Sequence, residues 1–522
     1  MLKTVKSAVK SAGRGVKEGI KNDPEVRKVV EKYPRTFDFI RKRLTPDEKF
    51  GLNLTIGITI AAVFTYFFLD LLVGIFTQDI VIMSDLRILN IAISFRNPQL
   101  NQFMFFITTL GEKEVIISGT LAIGVYLYLL RRWRYLVSLL ASVTLGEGFV
   151  WIVKQTVERA RPPISISLLR ESGYSFPSGH AFIAVAFYGL IAYFVYRAVK
   201  GKSKLVRYLI LVLFALFIGL IGYSRIYLGV HWPSDVLASY AAGAAWITVF
   251  ITALEIRRKF GKGIRQKDLL RMQYYNGNTK FYGFVLLILW LIFIGFFWKY
   301  QSNNTTFANT NNKGTPIEIN INQGDIPNKL FQNFPRVSET ISGKPQEPIN
   351  IIIIGNEEQL GLIFKQAGWI PCDKLNFKSI EKLIVATLAN KPYPTAPGVP
   401  SIWDEKPNDT SFEKPTSANL VKERHHIHFW KTPFVFEGSK EVWFGTAHFD
   451  QSILIKSSII LPTHSIDPAI DKERDNVRED LVKTGLVESD LEFQLVDPTM
   501  GKNQVGDAFF TDGKAYVFYL KE

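Results

Sequence analysis

Seven apolar stretches, each close to the length of about 20 residues that a helix needs to cross a bilayer, constrain the fold of this chain. They lie at residues 52–76, 114–131, 134–157, 180–199, 205–225, 233–255 and 281–299. A helix satisfies its backbone hydrogen bonds within its own segment, as the interior of a bilayer requires. Residues 88–111 are also partly apolar, but Arg96, Asn97, Pro98 and Asn101 interrupt them, and we interpret this segment as interfacial or re-entrant. The first 300 residues are therefore predicted to form an all-α polytopic membrane helical bundle.

Charge is distributed unevenly along the chain. The formal net charge is +15, but residues 301–522 hold 23 Lys and Arg against 29 Asp and Glu, whereas residues 1–300 hold 39 against 18. The basic excess therefore belongs to the part with the apolar stretches. Membrane topology accounts for such an excess, so nucleic acid is not expected as a partner.

The basic loops predict how the spans are oriented. Loops at 131–134, 197–207 and 257–280 are rich in Lys and Arg, and the positive-inside rule places such loops in the cytoplasm. With seven spans the N-terminus is then cytoplasmic as well. Residues 158–179, residues 226–232 and the C-terminal part of the chain fall on the extracytoplasmic side.

Three polar clusters stand at the ends of predicted spans. They are Lys154 with Arg161-Pro162, then Pro177-Ser178-Gly179-His180, and then Ser224-Arg225 with His231 and Asp235. The predicted topology places all three clusters on the same, outer side. Their side chains are therefore expected to meet in one site.

Three cations and a glycine turn in these clusters are typical of phosphate binding. Lys154, Arg161 and Arg225 can neutralise the charge on the oxygens of a phosphoryl group, and Arg can donate two parallel N–H groups to it. Ser178 and Gly179 precede a long apolar stretch and are expected to open a helix. The free N–H groups and the dipole at a helix start attract anions.

Two histidines and an aspartate would complete the cleavage of a phosphate ester without a metal or another cofactor. His231 and Asp235 lie four residues apart around Pro233, which suits the first turn of a helix. Asp235 can take the proton on one ring nitrogen of His231 and leave the other nitrogen free to attack phosphorus. His180 is the candidate acid for the leaving alkoxide. The predicted order is attack by His231, a phosphohistidine intermediate, and hydrolysis by water.

The three clusters resemble the motifs of the type 2 phosphatidic acid phosphatase superfamily, which also includes vanadium haloperoxidases and bacterial acid phosphatases. The resemblance covers about residues 50–255, and all three motifs are present with their spacing. It implies a six-helix phosphatase core, to which residues 281–299 add one extra span. It further implies that His231 is the nucleophile, Asp235 its partner and His180 the acid. The phosphate-binding residues that it implies are Lys154, Arg161, Ser178, Gly179 and Arg225.

We therefore expect an integral membrane lipid phosphatase of a bacterial plasma membrane, which acts at the outer face. Phosphatidic acid, phosphatidylglycerol phosphate and polyprenyl pyrophosphate would each present a terminal phosphate there. A phosphotransferase would use the same residues and would differ only in the acceptor. A non-catalytic lipid binder or transporter would not need the His231–Asp235 pair, and residues that merely cap membrane helices would not supply all three motifs.

Composition divides the chain into six segments. They are a basic cytoplasmic N-terminal segment (1–50), the membrane phosphatase core (51–256), a basic cytoplasmic loop (257–280), a seventh transmembrane helix (281–300), a linker rich in Asn, Thr, Gln and Gly (301–347), and a soluble C-terminal domain (348–522). Residues 1–49 hold 14 basic and 7 acidic residues. They are predicted to form a broken amphipathic helix, either on anionic lipid or as a solvated tail.

The C-terminal domain is predicted to be α+β. An apolar strand at 349–354 is followed by a helix at 357–367 that Gly368 would close. Further strands are predicted at 424–430, 441–449, 452–460 and 514–520, with a loop at 391–418. This part resembles the LssY-type C-terminal domain at Gly368-Trp369, Lys391-Pro392-Tyr393, Ala396-Pro397, Phe412-Glu413 and Arg424-His425-His426. That resemblance assigns no catalytic residue.

Five of the seven histidines lie in this domain. On a strand, His426 and His428 would share one face and could bind zinc together with His448 or His464. We favour ordinary surface or hydrogen-bonded histidines and predict no metal site. Because the seventh span returns the chain to the outer side, the domain is expected above the active site. It would recognise the substrate headgroup, the product or an envelope partner, or it would be an independent domain.

Overall fold

The computed structural model describes residues 24, 28, 31–45, 50–260, 276–305, 307, 318–374, 376–389, 391, 393–398, 400–416, 423–454, 463–503 and 506–521. In these residues a helical membrane bundle is followed by a domain rich in strands, so the predicted fold class is confirmed. The predicted N-terminal helix contributes α1 (Pro34–Leu44), and most of the remainder lies outside the described residues. The same holds for residues 261–275 of the predicted basic loop.

The membrane half contains both long and short helices. They are α2 (Leu52–Thr77), α3 (Ile80–Met83), α4 (Asp85–Ser94), α5 (Pro98–Thr109), α6 (Lys113–Leu129), α7 (Trp133–Val157), α8 (Gly179–Ala198), α9 (Lys204–Tyr227), α10 (Pro233–Phe260) and α11 (Asn276–Asn304). Within the described residues, six of them are long and apolar enough to cross a membrane, namely α2, α7, α8, α9, α10 and α11.

The prediction of a span at 114–131 is not met in full. The corresponding helix, α6, has 17 residues, which rise roughly 25 Å at about 1.5 Å per residue. That is less than the hydrocarbon core of a bilayer, which is about 30 Å thick. A turn at Arg131, which has a φ of 54°, follows the helix and limits its length.

The segment interpreted as interfacial or re-entrant forms short helices instead of a span. Helices α3, α4 and α5 have 4, 10 and 12 residues. Asn97 and Pro98 separate the last two, because the Asn97 side chain accepts the N–H of Leu100 and Pro98 opens α5. Helices α4 and α5 pack against α9, and α4 also packs against α10.

Helix α8 is the most buried of the six long apolar helices and packs against α7, α9 and α10. Its side chains Phe182 and Phe187 are fully buried. A small residue on α10 permits the close approach, because a Cβ at Gly243 would lie only 2.7 Å from the Cβ of Val185. This packing places the start of α8, with Ser178, at the centre of one end of the bundle.

The C-terminal domain consists of short and long strands with three helices. In chain order these are β1 (Ile319–Ile321), β2 (Val337–Glu339), β3 (Pro345–Pro348), β4 (Ile351–Ile354), α12 (Glu357–Gln366), β5 (Ile370–Pro371), α13 (Phe377–Ala389), β6 (Ile402–Trp403), β7 (Lys406–Pro407), β8 (Thr410–Pro415), β9 (Arg424–Phe436), β10 (Lys440–Leu454), β11 (Thr463–Ile466), α14 (Ile470–Lys483), β12 (Val487–Gln494), β13 (Thr499–Lys502), β14 (Ala508–Thr511) and β15 (Lys514–Leu520).

The domain is built on a nine-stranded sheet. Seven strands follow the order β12-β15-β4-β10-β9-β8-β5, and the other two lie off this path, β1 beside β9 and β11 beside β10. Strand β4 runs parallel to β15 and antiparallel to β10. Its alternate side chains enter two hydrophobic cores: Ile352 and Ile354 face one, and Ile351 and Ile353 face the other. This explains why the strand is a continuous apolar run.

Two predicted boundaries in this half are corrected by strand pairing. The predicted linker (301–347) contains strands in its described part, because Ile319 pairs with Phe434 across β1 and β9, and β2 pairs with β3. The loop predicted at 391–418 contains β8, which pairs with β9. Short strands with one or two partners carry little periodicity of their own, so their pattern does not distinguish them from loop. The strands predicted at 441–449 and 452–460 are one strand up to Leu454, and residues 455–460 lie outside the described part.

Candidate active site

The three predicted cations are held by backbone carbonyls and a hydroxyl at one end of the bundle. Lys154 Nζ donates to the carbonyl of Tyr174 at 2.6 Å, and Arg161 donates to the carbonyl of Val230 at 2.7 Å. Arg225 is fully buried and donates to Thr108 Oγ1 at 2.6 Å. These bonds fix the directions of the cationic groups before any anion arrives.

A carboxylate that the sequence motifs do not include lies between the two arginines. Glu171 Oε2 is 3.0 Å from Arg161, and Glu171 Oε1 contacts Arg225. Two guanidinium groups thus converge on a single anionic group. A phosphate would present the same charge to the same donors, so Glu171 would compete with it.

The start of α8 offers further donors. Ser178 is the N-cap residue, but its side chain makes no capping bond, and Gly179 is the first helical residue. Ser178 Oγ is fully buried and has no hydrogen-bond partner among the described residues. An unpaired buried hydroxyl beside free helical N–H groups is what an anion site requires.

His231 and Asp235 form a buried pair at the start of α10. Their side chains are 2% and 0% exposed, and His231 Nδ1 lies 3.3 Å from Asp235 Oδ2. The same oxygen accepts the N–H of Trp232 at 3.0 Å. His231 Nε2 lies 3.3 Å from Arg161 Nη1, and because a guanidinium can only donate, Nε2 is the acceptor and Nδ1 carries the proton.

The environment keeps the His231 ring neutral. Burial, together with the positive charges of Arg225, Arg161 and Lys154, holds the pKa of His231 well below its ordinary value. A neutral imidazole that is unprotonated on Nε2 is the form that can attack an electrophile.

His180 in the first turn of α8 is paired with a carboxylate from another part of the chain. Its Nε2 lies 3.2 Å from Glu112 Oε1, just before α6. Burial alone would raise the pKa of Glu112, but the nearby His180 and the charge of Arg225 bring it to about 2. Glu112 is therefore an anion that can orient the His180 ring.

Arg159 and Asp85, which motif reasoning missed, form a second layer behind Asp235. Arg159 donates to Asp235 Oδ1 at 2.7 Å and to Asp85 Oδ2 at 2.6 Å. Ser234 joins them, because its N–H donates to Asp85 Oδ1 at 2.8 Å. Asp85 and Glu112 are ionisable residues within the membrane half, which was a usable signal. Arg159 lies inside the first motif at a position that the motif leaves unspecified.

The histidines of the C-terminal domain lie together on β9 and β10. The ring centroids of His426, His428 and His448 are 4.4 to 5.8 Å apart, and His448 lies beside Glu347 and Asp450. Within the part of the chain that the structure describes, no group of three or more His, Cys, Asp or Glu is arranged to hold a metal ion. The side chain of His464 is outside that part.

Two families match separate parts of the chain. The PAP2 superfamily matches residues 116–259, which include the eight predicted site residues, and the family described as LssY C-terminus matches residues 331–515. Phosphatidylglycerophosphatase B of Bacillus subtilis (strain 168) is 36% identical over 180 residues, covering 34% of this chain and 86% of that protein. Undecaprenyl-diphosphatase of Sulfolobus acidocaldarius is 28% identical over 166 residues, covering 30% of this chain and 71% of that protein.

Two crystal structures resemble the membrane half. One is the first transmembrane PAP2 type phosphatidylglycerolphosphate phosphatase from Bacillus subtilis, with 28% identity, a TM-score of 0.34, and coverage of 37% of this chain and 96% of that chain. The other is LpxE of Aquifex aeolicus, with 24% identity, a TM-score of 0.26, and coverage of 33% and 94%.

Proposed function

This chain is a membrane phosphatase of the PAP2 superfamily, and from that premise we propose that His231 attacks the terminal phosphate of a lipid. The supporting observation is the position of His231 Nε2. It is the unprotonated nitrogen of a neutral ring, and its lone pair accepts from Arg161, one of the proposed phosphate-binding cations, at 3.3 Å. An anion held by Arg161 would therefore bring its phosphorus next to the attacking nitrogen.

In the proposed first step, His231 Nε2 forms a bond to phosphorus while the bond from phosphorus to the lipid oxygen breaks. Lys154, Arg161 and Arg225 would stabilise the charge on the phosphoryl oxygens, and His180 would give its proton to the leaving alkoxide. Asp235 would stabilise the charge that develops on the His231 ring. In the second step water attacks the phosphohistidine, His180 takes a proton from that water, and phosphate leaves.

We place this reaction at the extracytoplasmic face of a bacterial plasma membrane. The basis is the positive-inside rule applied to the loops at 131–134, 197–207 and 257–280. The substrate proposed is a lipid with a terminal phosphate or pyrophosphate, such as phosphatidic acid, phosphatidylglycerol phosphate or polyprenyl pyrophosphate. The names of the two relatives refer to phosphatidylglycerophosphate and to undecaprenyl diphosphate.

The test is phosphate release by the purified full-length protein from a panel of these lipid phosphates. We expect His231→Ala to abolish release, whereas His425→Ala, a matched change at a histidine that pairs with Glu473 in the C-terminal domain, should leave it unchanged. Activity should survive EDTA. Loss on chelation that a divalent ion restores would contradict the metal-free mechanism, and transfer to an added lipid or sugar without phosphate release would indicate a phosphotransferase.

The C-terminal domain is proposed to act on the same process, by recognising the substrate headgroup, the product or an envelope partner. Its support is contact with the membrane half close to the site. Asn90 of α4 donates to the backbone carbonyl of Glu405 at 2.8 Å, and Arg87 of the same helix pairs with Glu339 at 2.7 Å.

A further inference from the structure

Helix α4 is held from two sides within its first turn. Asp85 contacts Arg159 and Ser234 beside the catalytic pair, whereas Arg87 contacts Glu339 of the C-terminal domain. Side chains two residues apart on a helix do not face each other, so the two contacts leave α4 in different directions. One short helix thus joins the active site to the appended domain.

We propose that Arg159 and Asp85 are positioning residues for the proposed nucleophile, and that the C-terminal domain sets their position by binding α4 through Glu339 and Arg87. The inference rests on the proposed role of His231. It assigns the domain a part in the turnover of the membrane half, beyond any recognition of a ligand.

The two oxygens of the Asp235 carboxylate have different partners. Oδ2 faces His231 at 3.3 Å, while Oδ1 accepts a hydrogen bond from Arg159 at 2.7 Å. A carboxylate held at both oxygens cannot rotate about its terminal bond. Arg159 therefore determines the direction in which Asp235 holds the His231 ring.

Arg159 is itself anchored by a second carboxylate. Its other terminal nitrogen donates to Asp85 at 2.6 Å, and Asp85 accepts both the N–H and the hydroxyl of Ser234, at 2.8 and 2.5 Å. Asp85 is 2% exposed, and Ser234 directly precedes Asp235. The carboxylate of Asp85 thus fixes both the guanidinium and the first turn of α10, where a negative charge is favoured by the helix dipole.

The C-terminal domain contacts α4 at Arg87 and Asn90. Arg87 and Glu339 form an ion pair at 2.7 Å, with side chains that are 10% and 14% exposed. The other oxygen of Glu339 accepts the N–H of Glu405 at 2.7 Å, and Asn90 donates to the carbonyl of the same residue. Gly343, with a φ of 77°, lies against the guanidinium, since a Cβ there would be 3.1 Å from it. The C-terminal domain therefore forms the binding site of the Arg87 side chain and shields it from solvent.

The proposal is tested in the full-length protein with the best substrate of the lipid panel, measuring kcat and KM separately. We expect Arg159→Ala to lower kcat about 100-fold with little change in KM, because small displacements of reacting groups cost this much. Arg159→Lys should recover part of the loss, because lysine keeps the charge but cannot serve both carboxylates. Asp85→Asn should lower kcat by about tenfold.

The contribution of the domain is tested by a double-mutant cycle. Arg87→Ala and Glu339→Ala should each lower kcat several-fold, and the double variant should be no worse than the poorer single variant, because the two residues act as one contact. The charge-reversed pair, Arg87→Glu with Glu339→Arg, should recover activity. As a control, Arg478→Ala and Asp490→Ala break an Arg–carboxylate pair of 2.6 Å within the domain and should leave kcat unchanged.

Three outcomes would overturn the proposal. The first is wild-type kcat in Arg87→Ala and Glu339→Ala, and the second is an additive loss in the double variant. The third is equal loss in the control pair, which would indicate general destabilisation; thermal unfolding of each variant checks this independently. If His231→Ala kept its activity, both the proposed function and this inference would be wrong. If His231→Ala were inactive while the Arg87 and Glu339 variants stayed fully active, only this inference would be wrong.

Discussion

His231 Nε2 lies 3.3 Å from a guanidinium nitrogen of Arg161, while the opposite ring nitrogen faces Asp235 at the same distance. The ring is thus fixed between a cation on the side where phosphate would bind and a carboxylate on the side away from it. This arrangement determines which nitrogen carries the proton, and it gives the proposed mechanism a specific dependence on pH.

The first prediction concerns the acid limb of kcat/KM. Burial and the charges of Arg225, Arg161 and Lys154 hold the pKa of His231 well below its ordinary value of about 6.5. Above that lowered pKa the ring is neutral and able to attack, so loss of activity by protonation of His231 is expected only below about pH 6.5. Arg161→Gln removes one positive charge and should move the limb to higher pH. A wild-type limb above pH 6.5, unmoved in Arg161→Gln, would contradict the assignment.

The second prediction concerns His180 as the acid. His180→Ala should lower kcat by about 10² to 10⁴ for an alkyl lipid phosphate, which needs a proton on its leaving oxygen, and far less for p-nitrophenyl phosphate. Glu112→Gln should show the same order of substrates with a smaller loss, because Glu112 only orients the ring from 3.2 Å. Equal losses of kcat for both substrates in His180→Ala would exclude His180 as the acid for the leaving group.

The third prediction concerns Glu171, whose carboxylate contacts both Arg161 and Arg225. Glu171→Gln removes the negative charge that competes with phosphate, so inorganic phosphate should inhibit roughly tenfold more strongly. Glu158→Gln is the control, because Glu158 is an exposed glutamate directly after the end of α7. The inhibition constant for phosphate is the measurement, and an unchanged constant in Glu171→Gln would show that the two anions do not share a site.

The fourth prediction concerns topology. A cysteine at position 170, in an exposed loop beside the site, should react with an impermeant maleimide in intact cells, and one at position 262 should not. The background should carry Cys372→Ser, although burial raises the pKa of that thiol well above its ordinary value and makes it unreactive. Labelling at 262 without labelling at 170 would reverse the orientation of the site.

The fifth prediction concerns the stability of the C-terminal domain. Burial alone would lower the pKa of His448, but Glu347 and Asp450 raise it to about 9. Since this exceeds the ordinary value, the protonated ring stabilises the fold below about pH 6.5, and up to ~3 kcal/mol is lost as pH rises through 9. Scanning calorimetry of the full-length protein should show the domain's Tm falling over this range. His448→Gln should flatten the dependence of Tm on pH, and His425→Gln should not. An unchanged slope of Tm against pH in His448→Gln would contradict the assignment to His448.

Features that depend on neighbours in the sequence were accessible without a structure. The apolar stretches mark the helices to within a few residues, because span length and polar ends are local properties. Pro233 opens α10 as its fixed φ predicts, and Gly368 follows α12 with a φ of 82°. The three motifs likewise lie at the ends of spans, and the sequence alone indicates that Lys154, His180 and His231 are brought to one side of a membrane.

The tertiary structure alone decided what surrounds those residues. Asp85, Thr108 and Glu112 come from the segment between the first two spans, which carries no motif, and they reach Arg159, Arg225 and His180 only because α4 and α5 pack against the ends of α9 and α10. Two further contacts also join segments that are distant in the sequence. They are the pairing of β1 with β9 and the ion pair of Arg87 with Glu339. Sequence periodicity and spacing report the conformation of one segment, whereas a contact between distant segments depends on the geometry of the whole packed chain.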